Sequence, residues 1–142
     1  MGNSMFKKFN KNNRIFNIDN LKLRKVENDH GELVNEYLRP EDLFEADGHV
    51  SLGHVVKAIY RNDFTADTRR LYPDLPGYRY NLIIKMGEDD YVYLSAPLSM
   101  NAQFDEIMAD QLCIREIQKD NCVICAYHFT KDGEDRYGIE FC

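Results

Sequence analysis

The residues in this chain best suited to chemistry are cations interleaved with tyrosines. Lys57 and Arg61 lie in GHVVKAIYRND, Arg69, Arg70 and Tyr72 in TADTRRLYPD, and Arg79 and Lys85 in GYRYNLIIKM. Holding a single nucleic-acid strand takes exposed aromatic faces on which bases stack and a basic track for the phosphates. The chain has nine Tyr, eight Phe and no Trp, and Tyr can stack while presenting a hydroxyl. With residues 54–61 and 78–86 read as strands of period two, Lys57, Arg61, Arg79 and Lys85 share the face opposite the apolar one. Arg69, Arg70 and Tyr72 sit in the loop between them. The competing reading is plain packing: Tyr60, Tyr78 and Tyr80 phase with Leu82 and Ile84 as core, and the cations solvate a sheet face.

Other chemistry finds less support. Cys122-x-x-Cys125-x-x-His128 has the look of a metal motif, with Cys113 and Cys142 near in sequence. A structural zinc needs four converging ligands, whereas positions 122 and 125 of one strand point to opposite faces. They read as small buried hydrophobes, and no metal site is assigned. His49 and His54 flank a Gly-containing turn, and His30 stands alone. No G-x-S-x-G, P-loop or G-x-G-x-x-G is present. Glu88, Asp89 and Asp90 suit a turn, and Asp105, Glu106 and Asp110 lie on a helix without a basic partner. The expectation is a protein without catalytic residues and without a cofactor, not an enzyme.

The elements that must position these residues follow from periodicity. Residues 1–13 are Asn/Lys-rich, 14–26 hold a strand pattern through Leu21, Leu23 and Val26, and 28–36 read as loop. Pro40 with Glu41 and Asp42 opens a short helix, RPEDLFEA, that Gly48 ends. Strands follow at 54–61 and, after a polar loop, at 78–86, where Tyr78, Tyr80, Leu82, Ile84 and Met86 oppose Arg79, Asn81, Ile83 and Lys85. The turn Gly87–Asp90 leads into Tyr91–Leu94 as a hairpin. Phe104, Ile107, Met108, Leu112 and Ile117 carry helical spacing over 100–119, with Asp110 a candidate break. Residues 122–129 and 136–141 close a second hairpin. Three strands, a helix and two strands is the element order of the OB-fold, a small Greek-key barrel that binds oligonucleotides or oligosaccharides. The expected class is therefore α+β, mostly β, with an OB-like five-stranded barrel whose helix lies between strands 3 and 4. A basic arm (1–25) and a short helix precede the strands, and residues 26–142 form one domain.

Length and composition set the outer bounds. At 142 residues, 44% hydrophobic and 30% charged, the chain is long enough for one packed core. No apolar run reaches the ~20 residues of a membrane span. The N-terminus lacks an apolar h-region. The four cysteines cluster in the last third rather than forming a secreted framework. These features point to a cytoplasmic protein with no membrane partner. The net charge of −6 is unevenly distributed. Residues 1–25 hold seven basic residues and one acid, and residues 26–142 hold 11 basic and 23 acidic ones. That asymmetry describes either a nucleic-acid-binding arm or a solvated terminus on an acidic body.

Three stretches, IYRNDFTADTRRLYPDLPGYRY, YVYLSAPLSMNAQFDEIMAD and CVICAYHFTKDGEDRYGIEF, together with RPEDLFEADGHV, resemble small phage and conjugative-element proteins over residues 39–141. The shared pattern is a tyrosine-rich strand ending in a Leu-Ser-Ala-Pro-Leu turn, an acidic helix and two closing strands. The resemblance implies an OB-fold-like domain of the single-stranded DNA-binding type. The chain ends at Phe141-Cys142 without the acidic, Pro/Gly-rich tail usual in bacterial single-strand binders, which departs from that pattern. The expected function is non-catalytic binding of single-stranded nucleic acid by a phage or mobile-element protein. Tyr side chains would stack and Lys57, Arg61, Arg69, Arg70, Arg79 and Lys85 would meet phosphates. The alternative is an acidic, anti-CRISPR-like inhibitor of a host defence nuclease or nucleoprotein, the charged body imitating nucleic acid. A host protein partner and a homo-oligomer joined through an open sheet edge are both compatible with the sequence.

Overall fold

A computed structural model describes residues 14–16 and 21–142. The strands are β1 (Arg14–Phe16), β2 (Lys25–Glu27), β3 (Leu33–Asn35), β4 (Tyr37–Leu38), β5 (His54–Asp63), β6 (Tyr78–Gly87), β7 (Asp90–Ser95), β8 (Val123–Lys131) and β9 (Glu134–Phe141). The helices are α1 (Pro40–Ala46), α2 (Ala66–Leu71), α3 (Asn101–Ala109) and α4 (Gln111–Gln118). Six strands hydrogen-bond in the order β4-β7-β6-β5-β8-β9, and the sheet curls into a half-barrel. The α+β, mainly β class follows directly.

β5 organises the sheet. Its first residues, His54 and Val55, pair with β8, whereas Val56 to Asp63 pair with β6. Ala58, Ile59 and Tyr60 also pair with Phe16, Ile15 and Arg14 of β1. The switch of partner coincides with a β-bulge between Val56 and Ala58. One extra residue reverses the alternation there. Val56 and Ile59 consequently face the same side, the inner face, with Tyr80, Leu82, Ile84, Val92, Leu94, Phe104 and Ile117 in the main core. The helices cover this face: α1 packs on β8 and β9, α3 on β6, and α4 on β5.

The second hairpin and the short helix lie where periodicity puts them, with Pro40 in the first turn of α1. The 100–119 segment does break at Asp110, whose side chain caps α4 by accepting from the Leu112 amide at 2.9 Å. Three expectations are corrected. Residues 28–36 are not all loop, because β3 pairs with β2 in a hairpin. The 14–26 pattern is not one strand: β1 joins β5, β2 joins β3, and Leu23 bridges Tyr91. The polar loop after β5 contains α2, capped by Thr65, whose hydroxyl accepts from the Thr68 amide at 3.2 Å. The arm at 1–13 lies outside the described residues. Among the described residues no helix is long and apolar enough to cross a membrane.

Candidate functional site

The outer face of the sheet carries an aromatic layer with polar groups beneath it. β6 presents Arg79, Asn81, Ile83 and Lys85 there, opposite its inner-face residues Tyr80, Leu82 and Ile84. In the register, Ala58 and Tyr93 flank Ile83, and Tyr60 and Ser95 flank Asn81. Tyr37 lies opposite Tyr93 across the parallel β4–β7 pair. The Tyr37 and Tyr93 rings stack with centroids 4.5 Å apart and 13° between planes. Tyr60 and Tyr93 are 5.9 Å apart and inclined by 52°. Three strands thus contribute three neighbouring rings, and Tyr37 leaves 49% of its surface exposed. Leu21 and Leu23 close one end of the layer by packing on the Ala58, Ile83 and Tyr91 cluster. The Tyr37 hydroxyl is pushed up, first by burial and then by neighbouring Tyr60, which keeps it a neutral donor at physiological pH.

The polar groups of this layer are incompletely satisfied. Asn81 is 6% exposed, and its Oδ1 has no hydrogen-bond partner. Arg79 Nε is likewise buried without a partner. Among the described residues no carboxylate pairs with Arg79 or Lys85. A cation without a counter-ion beside aromatic rings can meet a phosphate or the edge of a base.

The other sequence-predicted residues lie elsewhere. Lys57 sits at the bulge, buried, with Nζ donating to both carboxylate oxygens of Asp120 at 2.9 and 3.0 Å. Arg61 faces inward. Its guanidinium lies 3.9 Å from the centre of the Tyr78 ring, and Nε donates to Asp63 at 3.2 Å. Beside it the Tyr78 and Tyr80 hydroxyls both donate to Asp105, at 2.5 and 2.6 Å. The Tyr80 hydroxyl is pushed far up, by burial first and by Asp105 second. Tyr78 and Tyr80 are core-facing, in line with the packing alternative. Arg69, Arg70 and Tyr72 belong to the α2 excursion. Arg69 donates to the Gly77 carbonyl at 3.4 Å, Arg70 pairs with Asp67, and Tyr72 is 56% exposed. The expectation that Lys57 and Arg61 share a face with Arg79 and Lys85 is corrected, and the bulge in β5 is the reason.

Sequence reasoning missed Tyr37, Tyr93 and Asn81. For Tyr93 a signal existed: Tyr91 and Tyr93 alternate with Val92 and Leu94 in YVYL. Asn81 stood in the correct half of the β6 alternation but was read as surface. Tyr37 lies in a two-residue strand that has no period to read.

Other candidate groups are occupied structurally. His54 is buried between the Asp47 carboxylate, 2.7 Å from Nε2, and the Lys85 carbonyl, 3.0 Å from Nδ1. His128 pairs with Asp135 in the β8–β9 hairpin. Burial pushes the Cys122 thiol up to about 11, and that of Cys125 to about 12 with help from neighbouring Cys142. Among the described residues no three His, Cys, Asp or Glu side chains gather as a metal-ligand set. No protein-family model, curated protein or solved structure matches this chain.

Proposed function

We propose that this protein binds single-stranded DNA without catalysis, on the outer face of its half-barrel, as an OB-like protein of a phage or mobile element. The observation that carries this reading is the row of three tyrosine rings, Tyr37, Tyr93 and Tyr60, beside Arg79, a cation with no ion-pair partner among the described residues. Bases stack on such rings with little regard to sequence, and cations along the track hold the backbone. Tyr37, Tyr60 and Tyr93 are the stacking residues, and Arg79 and Lys85 meet phosphates. Arg69, Arg70 and Tyr72 flank the site from α2. Lys57 and Arg61 leave the binding set, because Asp120, Asp63 and Tyr78 already engage them.

Two further features support the reading. Within the basic segment 1–25, which has seven cations and one acid, the backbone of Arg14–Phe16 pairs with β5 at Ala58–Tyr60. From β5 onward the chain runs strand, short helix, strand, strand, helix pair, strand, strand, and β8 returns antiparallel to β5. This order is compatible with an OB-like reading, although β9 does not pair with β7 to close a barrel.

The test is fluorescence anisotropy of a labelled 30-mer single strand at low and at moderate salt. The expected result is binding that weakens steeply with salt. The slope should fall by about 0.7 for each phosphate that a variant such as Arg79→Ala no longer neutralises. Absence of binding at micromolar protein rejects the proposal and directs attention to a protein partner of the acidic body.

A further inference from the structure

We propose that the groove between α3 and α4 is a docking surface for a basic amphipathic segment of a partner protein. The segment seats its apolar side in the groove and sets lysines or arginines on the rim. The inference is independent of the tyrosine face, because the helices cover the inner side of the sheet and the tyrosines lie on the outer side.

The groove arises where the helical segment breaks at Asp110. The recess there measures about 500 Å³. Ile107, Ile117 and Phe141 line it with the Cys113 and Cys122 thiols. Burial pushes both thiols up, so they stay neutral and pack as small apolar groups. Leu112, also at the recess, leaves 69% of its surface exposed. An exposed apolar side chain continuous with an apolar recess and rimmed by polar groups marks an interaction surface. Gln103, Glu106 and Glu116 are exposed as well, so the recess opens to solvent. A small ligand needs a pocket that buries most of its surface. An open trough between two helices suits the apolar face of a peptide segment instead.

The charge of the rim sets the chemistry of the occupant. Glu106, Asp110 and Glu116 line the recess, and no Lys or Arg does. Arg115, the one cation of the two helices, is outside the lining. Among the described residues none of the three carboxylates is in an ion pair. Asp110 accepts from the Leu112 amide and Glu116 from Asn121 Nδ2 at 3.0 Å, bonds that orient both carboxylates and leave their charge uncompensated. An acidic rim around an apolar floor is complementary to an apolar anchor flanked by cations, and it repels the phosphates of a nucleic acid.

The experiment follows the anisotropy of a labelled helical peptide of Leu and Lys, with Leu at i, i+3, i+4 and i+7, as the full-chain protein is added. Two control peptides replace every Lys by Glu or every Leu by Ser. The expected result is binding of the Leu-Lys peptide at least about tenfold tighter than of either control, with a similar loss in Glu106→Lys/Glu116→Lys. Iodoacetamide labelling of the native protein reads the site without any variant: the Leu-Lys peptide should slow Cys113 and leave Cys142 unchanged. Absence of binding, equal affinity for a control peptide, unchanged affinity in the double variant, or binding that does not slow Cys113 each overturns the proposal. Faster Cys113 labelling on dilution of the free protein assigns the groove to a second copy of the chain. Faster labelling in Lys7→Glu/Lys8→Glu/Lys11→Glu than in the native protein assigns it to the chain's own residues 1–13. Either result overturns a partner protein as the occupant.

Discussion

Tyr37 and Tyr93 stack face to face at 4.5 Å, although one belongs to a two-residue strand and the other to the centre of a hairpin. The parallel β4–β7 pairing places them opposite each other, and Tyr93 also contacts Tyr60. Tyr93 is therefore the middle ring of the row. Tyr93→Ala should weaken single-strand binding by about 1–3 kcal/mol, the range for loss of one stacked base. Tyr93→Phe, which keeps the ring, should restore most of it. Arg136→Ala, on the distant β8–β9 hairpin, serves as the control. Equal affinities of the native protein and Tyr93→Ala would remove the tyrosine row from the site.

How much of this was legible depends on where alternation runs uninterrupted. β6 has regular pairing from Asn81 to Lys85, and its two faces read correctly from YRYNLIIKM. β5 contains the bulge, a feature of pairing geometry that leaves no mark in HVVKAIYRND, so the phase taken from Val56 misplaces Ala58, Ile59, Tyr60 and Arg61. The helix α2 is also silent: six residues, none buried, give no apolar stripe. The site itself depends on contacts distant in sequence. Tyr37 and Tyr60 reach Tyr93 only through strand order, which hydropathy alone does not specify.

Lys57 is an anchor, and its removal should separate stability from binding. The ammonium is buried, with 9% of the side chain exposed, while 47% of its partner Asp120 faces solvent. Asp120→Ala strands a buried cation and should cost about 3–5 kcal/mol. Lys57→Met removes the buried cation itself, while its half-exposed partner stays in contact with solvent, and should cost about 1 kcal/mol or less. Asp120 has φ 62°, a left-handed conformation that Asn tolerates well, so Asp120→Asn is the milder variant. Urea unfolding orders the three. A steeper loss in Lys57→Met than in Asp120→Ala, or a changed salt slope for DNA in Lys57→Met, would contradict this role.

His54 joins the end of α1 to β6. Its two ring nitrogens face a carboxylate and a carbonyl, both acceptors. Asp47→Ala leaves Nε2 buried and unpaired, which should cost about 1–3 kcal/mol. His54→Phe fills the space without orphaning a donor but strands the Asp47 carboxylate. Both variants should lower the urea midpoint, and a coupling energy near zero in the double-mutant cycle would show that the pair does not act as a unit.

Two acids link stability to pH. A bidentate hydrogen-bonded pair with Arg39 at the start of α1 holds Asp42 below the ordinary carboxylate range, and Arg24 does the same for Asp90. Both carboxylates bind a proton less readily in the folded chain. Their contribution is therefore complete above the unfolded value of about 4 and is lost as pH falls through the lower folded values. Exposure of 31% for Asp42 and 38% for Asp90 keeps the effect small through solvent screening. The Tm of the native protein should fall more between about pH 5 and about pH 3 than that of Asp42→Asn/Asp90→Asn, an interval that brackets the titration. Parallel curves would show that these pairs do not carry the acid sensitivity.

The four thiols should react in a definite order. Cys142 is exposed, whereas Cys125 is buried in β8. Cys113 and Cys122 line a recess of about 500 Å³ between α3, α4 and β9, with Ile107, Ile117 and Phe141. Burial raises the Cys113 thiol, with Asp110 adding to the effect, and raises Cys122 to about 11 and Cys125 to about 12. The thiolate is the nucleophile, so at about pH 8 only about one in a thousand Cys122 side chains, and fewer of Cys125, are reactive at any moment. Native-state alkylation with iodoacetamide, followed by peptide mass spectrometry, should therefore label Cys142 first and Cys125 last. Adding urea should bring all four to one rate. Early labelling of Cys125 in the absence of denaturant would mean that the β8–β9 hairpin opens locally and that burial does not protect this thiol.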